Sequence, residues 1–285
     1  MTRGETEPFD REAFDRQAAE WRYIITDMIC RAGSGHLGGA LSLVEVMLTL
    51  YDRIMKVDPE KPRWPDRDRL VLSKGHAAPV LYLALAYKGF FPKAWLKTLN
   101  ADGMRLPSHA DARCVPGIDM TTGSLGQGLS CACGAAYAAR LDGKPHRVFC
   151  IIGDGECNEG QIWEAALFAA HHKLDNLVAV TDYNKLQIDG FTRDVLSLEP
   201  LLDKWRAFGW AAFEMDGHDW DSIHDTLCAA IAVRGQPAMI VAHTVKAKGC
   251  SVLENKAESH NIKVPDQATY DRYMDALPVK AALPY

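Results

Sequence analysis

The stretch RVFCIIGDG, residues 147–155, is a hydrophobic run that stops at a Gly-Asp-Gly turn. A continuous apolar run is typical of a strand buried on both faces, so we predict a strand over residues 147–152. Gly153 and Gly155 allow an anionic ligand to approach the backbone closely. A helix predicted over residues 161–172 would direct the positive end of its dipole toward such a ligand. By itself, however, Gly-Asp-Gly indicates no more than a turn.

The same alternation of strand and helix extends outward from this stretch. Apolar runs predict further strands over residues 69–73, 177–181, 210–215 and 238–243. Helical spacing predicts helices over residues 11–31, 42–55, 77–88, 126–141, 200–208 and 220–233, with Ser42 as an N-cap. This order favours the α/β class, a doubly wound parallel sheet with helices on both faces, which binds ligands at the carboxyl ends of its strands. We expect a single domain over residues 1–285, with a loop at 102–124 and a polar C-terminal tail from about residue 265.

Composition excludes several classes of protein. The chain has 285 residues, of which 48% are hydrophobic and 24% charged, as in ordinary globular proteins rather than disordered or fibrous ones. The net charge of −5 argues against nucleic-acid binding. The longest nearly apolar run, 77–87, is shorter than the ~20 residues of a membrane span. The acidic N-terminus does not resemble a signal peptide, so we expect a cytoplasmic location with reduced cysteines. The sequence contains no CxxC pair, so we do not expect a zinc site.

Polar side chains follow two strands that should be neighbours in the sheet. Asp154 follows the strand at 147–152, and Asn184 follows the next strand, 30 residues later. Parallel strands end at the same edge of a sheet, so the two side chains should lie close together. A carboxylate, an amide oxygen and a nearby backbone carbonyl are ligands that Mg²⁺ prefers. Alone, Asn184 is equally typical of a turn.

A Gly-Asp-Gly sequence followed 27 residues later by Tyr-Asn resembles the thiamine diphosphate motif, which usually ends in Asn-Asn. Other segments, in the same order as in transketolases, narrow the resemblance to the N-terminal, diphosphate-binding half of that family. These segments are SGH (34–36), DRDR (66–69), LSKGH (72–76), TTGSLGQG (121–128), IDG (188–190) and DGHD (216–219).

The resemblance implies a set of residues for thiamine diphosphate and its metal. Mg²⁺ would be held by Asp154, Asn184 and the backbone carbonyl of Leu186, and Ca²⁺ or Mn²⁺ could replace it. Tyr183 departs from the usual Asn but is not the matching ligand. The implied cofactor-binding residues are His76, Gly123, Ser124, Leu125, Gly153, Asp154, Gly155, Glu156, Asn184, Ile188, Lys246 and His260. Leu125 and Ile188 would support the bent cofactor, and Lys246 would lie near the diphosphate unless it is an ordinary surface lysine.

Four histidines match active-site histidines of the family: His36, His76, His109 and His260. Ketol transfer requires protons to move between sugar hydroxyls and carbonyls, and imidazole titrates in the appropriate range. For a histidine in an arbitrary sequence a structural role is the better prediction, but each of these accompanies a family signature. The family commonly has glycine after the last histidine, where this chain has Asn261.

The resemblance extends to only half of a transketolase, because the half that supplies the activating glutamate and the pyrimidine pocket has no counterpart here. We therefore expect the partner to be a separate C-terminal subunit, in an α2β2 assembly that transfers a two-carbon ketol unit from a ketose phosphate to an aldose phosphate. The alternatives are a related thiamine enzyme (a deoxyxylulose-phosphate synthase or a 2-oxo acid dehydrogenase α-subunit), a transketolase for a branched or sulfonated sugar, and a non-catalytic homologue. Asp154, Asn184 and the four histidines argue against the last.

Overall fold

A parallel sheet forms the centre of the computed structural model, which describes residues 10–285. The strands are β1 (Ser34–Gly35), β2 (Arg69–Leu72), β3 (Val148–Gly153), β4 (Leu177–Tyr183), β5 (Leu186–Gln187), β6 (Gly190–Phe191), β7 (Ala211–Asp216), β8 (Ala238–His243) and β9 (Ile262–Lys263). The central sheet has the order β2-β3-β4-β8-β7, and all neighbours are parallel. Short antiparallel pairs, β1 with β9 and β5 with β6, lie outside it. The predicted α/β class and its five strands are confirmed.

Helices connect the strands of this sheet. The α-helices are α1 (Arg11–Arg31), α2 (Gly38–Leu41), α3 (Val44–Thr49), α4 (Ala78–Lys88), α5 (Gln127–Leu141), α6 (Gly160–His171), α7 (Thr192–Val195), α8 (Leu201–Ala207), α9 (Trp220–Ala232) and α10 (Gln267–Asp275). Short 3₁₀ helices cover Gly75–Ala77, Lys93–Thr98, Gly155–Asn158 and Ala257–His260, and a π-helix covers Leu50–Ile54.

The predicted helix over residues 42–55 is wrong in its detail. Helical structure already begins at Gly38, so Ser42 has helical backbone angles and follows α2 directly. It therefore has no free helix N-terminus to cap, and its hydroxyl instead donates to Asp182 Oδ2 at 2.7 Å. The remainder of the predicted segment divides into α3 and the π-helix.

Both faces of the sheet are covered by helices. Alternate residues of β3 enter different cores: Phe149 and Ile151 pack with α1, α4 and α9, whereas Cys150 and Ile152 pack with α5 and α6. All four side chains are at most 1% exposed. This alternation between two buried faces is the reason that the strand sequence is apolar throughout.

The outer side of the edge strand β2 is lined by residues of the predicted loop 102–124. The Asp119 carboxylate accepts from the Leu70 N–H at 3.0 Å, and the Thr122 hydroxyl donates to the Leu72 carbonyl at 2.7 Å. The Tyr82 hydroxyl anchors the middle of the loop by donating to the carbonyl of His109 at 2.9 Å. The loop therefore runs from the amino end of β2 to its carboxyl end.

The C-terminal segment is polar in composition, but it packs against α1. Within α10, Tyr273 and Met274 are buried, and the hydroxyl of Tyr285 donates to the buried carboxylate of Asp27 at 2.6 Å.

The domain prediction over residues 1–285 includes residues 1–9, which lie outside the described residues. No helix within residues 10–285 has the length and apolar character needed to cross a membrane.

Candidate active site

The carboxyl ends of β3 and β4 bring Asp154 and Asn184 to one cavity of about 240 Å³. Asp154 accepts from the backbone N–H groups of Gly155 at 2.7 Å and Lys185 at 2.5 Å. Asn184 Oδ1 accepts from the Leu186 N–H at 3.1 Å. The two side chains predicted to be neighbours therefore line the same cavity, together with Leu186.

Most of the predicted cofactor-binding residues line this cavity. They are His76, Leu125, Gly153, Asp154, Gly155, Glu156, Asn184, Ile188, Lys246 and His260, and the predicted metal ligand Leu186 lines it too. Ile188 is 64% exposed, as expected for an apolar side chain at the opening of a site. Gly123 and Ser124 do not line the cavity. Gly123 instead lies against the ring of His109, and Ser124 is exposed beside it.

The backbone adopts uncommon conformations at two points of the cavity. Lys185, between Asn184 and Leu186, has φ 66°, and Ala247, next to Lys246, has φ 58°. Left-handed backbone at residues other than glycine costs roughly 1–3 kcal/mol and persists where its surroundings fix it. At Lys185 this conformation allows the backbone N–H to reach Asp154, so the turn helps to position the predicted metal ligands.

A buried network centred on Asp182 supports the cavity from below. Its carboxylate forms an ion pair with Lys74 and accepts from the hydroxyls of Ser42 and Thr244 and from Asn184 Nδ2 at 3.0 Å. Burial opposes its ionisation, but the Lys74 cation and these hydrogen bonds hold the pKa of Asp182 below its ordinary value. Asp182 thereby fixes the orientation of the Asn184 amide, whose oxygen accepts from the Leu186 N–H.

Charge in the cavity favours a cation beside Asp154. Burial and the neighbouring Asp182 raise the pKa of Asp154 to about 7, because its two backbone donors only partly compensate. A carboxylate, an amide oxygen and the Leu186 carbonyl form an all-oxygen set of the kind that hard divalent cations prefer. Within residues 10–285, no group of three or more His, Cys, Asp or Glu side chains could hold a metal ion. A metal here would therefore need the amide, the carbonyl and oxygens of a ligand.

Lys246 is not a surface lysine. Its side chain is only 2% exposed, and Nζ donates to the Leu186 carbonyl at 2.9 Å and contacts His260 Nδ1 at 3.2 Å. Burial lowers the pKa of Lys246 to about 8. The ammonium group contacts the carbonyl that is predicted to bind the metal, so positive charge is already favoured at this point.

The four predicted histidines are brought together from separate elements. The ring of His36 lies with its centroid 5.1 Å from that of His76, 5.5 Å from that of His109 and 5.2 Å from that of His260. His76 and His260 are 5.1 Å apart. His36 and His109 do not line the cavity, so the histidine cluster extends beyond it.

Burial keeps this quartet uncharged at neutral pH. Burial, with additional contributions from His109 and Lys246, lowers the pKa of His36 to about 4. Burial and Lys246 lower that of His260 to about 3. Burial also lowers the pKa of His109, and burial with Lys74 lowers that of His76 well below its ordinary value. Neutral imidazoles can both donate and accept a hydrogen bond, which is the property that sugar hydroxyls require.

The Glu156 carboxylate is used inside the protein. It accepts from the Ser73 hydroxyl and from the backbone N–H groups of Gly126 at 2.7 Å and Gly153 at 2.9 Å. It therefore ties the Gly-Asp-Gly turn to the start of α5. Glu156 is predicted as a cofactor contact and lines the cavity, and its hydrogen bonds also support the turn on which Asp154 lies.

Comparison with known proteins relates this site to one family. The family model described as "Transketolase, thiamine diphosphate binding domain" matches residues 14–271. The 6-deoxy-6-sulfo-D-fructose transketolase subunit SqwG of Clostridium sp. (strain MSTE9) is 54% identical over 88% of this chain and 91% of its own length. An apulose-4-phosphate transketolase subunit of Phocaeicola vulgatus is 41% identical over 91% of this chain and 92% of its own length.

Solved structures show the same relation. Transketolase from Leishmania mexicana superposes with a TM-score of 0.85 at 30% identity over 91% of this chain. The chain spans only 40% of the length of that transketolase.

Proposed function

The chain belongs to the transketolase family, and we propose that it is the N-terminal subunit of a two-component, thiamine diphosphate-dependent transketolase. Such an enzyme transfers a two-carbon ketol unit from a ketose to an aldose. The observation that carries the proposal is the convergence of the Asp154 and Asn184 pair and the four histidines on one site. Relatives of the same extent are named as transketolase subunits.

The residues of the cavity fit the diphosphate end of the cofactor and Mg²⁺. Asp154, Asn184 and the Leu186 carbonyl would hold the metal, with Lys246 and the Gly155 N–H beside the diphosphate. When bound, thiamine diphosphate supplies the carbanion chemistry, and the protein supplies orientation and electrostatics. A Cβ at Gly155 would lie 2.8 Å from Gln187 Cβ, so the close turn at this point requires glycine.

The histidine quartet would handle the protons of the sugar. His36 and His109 lie outside the cavity on the side where the reacting hydroxyl and carbonyl groups would lie. As neutral imidazoles they would bind these groups and move protons to and from them, a contribution worth about 10²–10⁴-fold in rate. His76 and His260 lie at the border between the diphosphate cavity and this sugar-binding region.

A separate C-terminal subunit would complete the site in an α2β2 assembly in the cytoplasm. The cavity of about 240 Å³ is smaller than the ~300 Å³ at which small-molecule sites begin. A partner that covers the pyrimidine end of the cofactor would enlarge and enclose it.

The charged group of the donor sugar distinguishes two substrate candidates. Sugar phosphates are the general expectation, and fructose 6-phosphate is bound in a related solved transketolase. The 54% identical relative is named for 6-deoxy-6-sulfo-D-fructose, which favours a sulfonated donor as the second candidate. Comparing kcat/KM for these two ketoses, with one aldose acceptor, identifies the donor.

The central experiment is reconstitution. We expect the purified chain with Mg²⁺ and thiamine diphosphate to lack ketol transfer, and activity to rise on addition of the matching C-terminal subunit until the ratio is one to one. Product analysis separates ketol transfer from the decarboxylative condensation of a deoxyxylulose-phosphate synthase. Full activity of the chain alone, free of other proteins, contradicts the two-component proposal.

A further inference from the structure

A second cavity, of about 640 Å³, lies at the amino end of β2. Its lining includes the side chains of five arginines and one carboxylate: Arg63, Arg67, Arg69, Arg105, Arg113 and Asp119. None of its lining residues belongs to the cavity at Asp154. Arg69 begins β2, whereas Lys74 follows the end of this four-residue strand, which is ~13 Å long. The two cavities therefore lie at opposite ends of one strand.

Two of the arginines form a fixed floor for the second cavity. Arg67 donates through both terminal nitrogens to Asp119, at 2.6 and 3.0 Å, and Arg69 donates to the same carboxylate at 3.0 Å. The side chains of Arg67 and Asp119 are 5% and 7% exposed. With Leu70 N–H also donating to Asp119, the only carboxylate among the lining residues is fully engaged.

The other arginines leave positive charge uncompensated. Arg113 pairs with Asp111, which lies beside the lining. Arg63 has no acidic partner among residues 10–285, and Arg105 stands over the ring of Trp95, 5.1 Å from its centroid, without a carboxylate. Among the lining residues, five guanidinium groups therefore face a single carboxylate, that of Asp119.

We propose that this cavity binds a small molecule through a tetrahedral oxyanion, a phosphate, sulfate or sulfonate group. The forked guanidinium group matches such oxyanions by paired hydrogen bonds. A volume of about 640 Å³ accommodates a metabolite, since small-molecule sites span about 300–1,000 Å³. Asp119 holds Arg67 and Arg69 in place, and Arg63 and Arg105 provide the free charge.

This site shares a segment of chain with the proposed active site. Asp119, in the floor of the cavity, is four residues before Gly123, which packs against His109. The binding proposal itself does not depend on the transketolase proposal, since none of its residues contributes to the Asp154 cavity.

Calorimetric titration with inorganic phosphate tests the site. The titrated protein is the chain with Mg²⁺ and thiamine diphosphate, either as wild type or with the double substitution Arg63→Gln/Arg105→Gln. Both arginines are exposed, so the fold should persist, which circular dichroism and thermal unfolding verify. We expect the double substitution to weaken phosphate binding roughly tenfold or more, because two charge-assisted partners are lost. Sulfate should bind comparably to phosphate, and acetate more weakly.

Arg193→Gln is the matched control, because this exposed arginine lies outside both cavities. If phosphate binds at the arginines of the second cavity, its affinity is unchanged in Arg193→Gln and lost in the double variant. Unchanged affinity in the double variant overturns the proposal, and so does the absence of phosphate binding up to about 10 mM, a concentration far above the Kd of a useful metabolite site. Charge reversal by Arg63→Glu provides a second variant with the same expected direction.

Discussion

The cavities at the two ends of β2 are both rich in cations, but they balance their charge differently. At the carboxyl end, Lys74 and Lys246 are each 2% exposed; Lys74 pairs with Asp182, and Lys246 lies in the field of Asp154. At the amino end, Arg63 and Arg105 are exposed and have no carboxylate partner among residues 10–285.

The difference follows from the cost of burying charge. A buried ammonium group without a partner is strongly unfavourable, so the fold must supply carboxylates at the carboxyl end. Exposed guanidinium groups remain hydrated and need no internal partner. The carboxyl-end cavity therefore has a carboxylate that favours a metal ion, whereas the amino-end cavity has an unmatched positive charge that favours an anion.

The largest expected effect is on cofactor binding, which should depend on the carboxyl-end cavity and not on the amino-end cavity. Asp154→Ala removes the only carboxylate proposed to contact the metal, and we expect Mg²⁺-dependent binding of thiamine diphosphate to weaken by at least ~100-fold. Isothermal titration calorimetry measures this affinity. Arg63→Ala, in the other cavity, is the control and should bind as the wild type does. Unchanged affinity in Asp154→Ala would show that the metal lies elsewhere.

The second effect separates binding from chemistry within the carboxyl-end site. In the complex with the C-terminal subunit, His36→Ala and His109→Ala should lower kcat by about 10²–10⁴-fold while leaving cofactor affinity nearly intact, because both rings lie outside the diphosphate cavity. His171→Ala, an exposed histidine at the end of α6, is the control. Normal turnover in both active-site variants would make these histidines structural.

The third effect tests whether the buried lysine needs its partner. Asp182→Ala leaves Lys74 uncompensated, so the free energy of unfolding should fall by about 3–5 kcal/mol. Urea denaturation measures the loss. Asp203→Ala breaks an exposed ion pair with Arg206 and should cost less than about 1 kcal/mol. Equal effects of the two substitutions would show that burial does not decide the charge balance.

The smallest effect concerns pH. The pKa of His36 is about 4 in the folded protein and about 6.5 when unfolded, so below pH 6.5 the unfolded state binds a proton that the folded state does not. The neutral His36 therefore costs the folded protein nothing above pH 6.5, and the free energy of unfolding declines as the pH falls from 6.5 toward 4. His36→Phe should reduce this decline, as measured by urea denaturation at several pH values. Identical pH profiles of the wild type and the variant would contradict the shift.

The sequence predicted the sheet well because strands buried on both faces appear in it as continuous apolar runs. The run at residues 147–152 becomes β3 with a shift of one residue, and the strand at residues 238–243 is reproduced as β8. The short pair β1 and β9 was not predicted. Ser34 pairs with Lys263, and local periodicity cannot indicate pairing between residues so far apart in the sequence.

Asp154 and Asn184 could be predicted because each belongs to a family motif and also follows a predicted strand. The Lys74–Asp182 pair was missed, although both residues occur in or beside quoted segments, because they are 108 residues apart and only the fold brings them together. Asp182 did carry one signal: an aspartate at the end of a fully buried strand must find a partner. For Glu156, adjacency to the turn did not reveal that its carboxylate accepts from the backbone N–H groups of Gly126 and Gly153.

The segment from Asp119 to Thr122 has one more consequence, for association between molecules. Unpaired backbone groups on an edge strand act as a template for strands of other chains. On β2, the Leu70 N–H and the Leu72 carbonyl are already used by Asp119 and Thr122. A side chain at Gly75 would lie 2.6 Å from the Thr122 backbone and push this segment outward. The segment thus protects this edge of the sheet from the addition of a foreign strand, and its displacement would promote aggregation there.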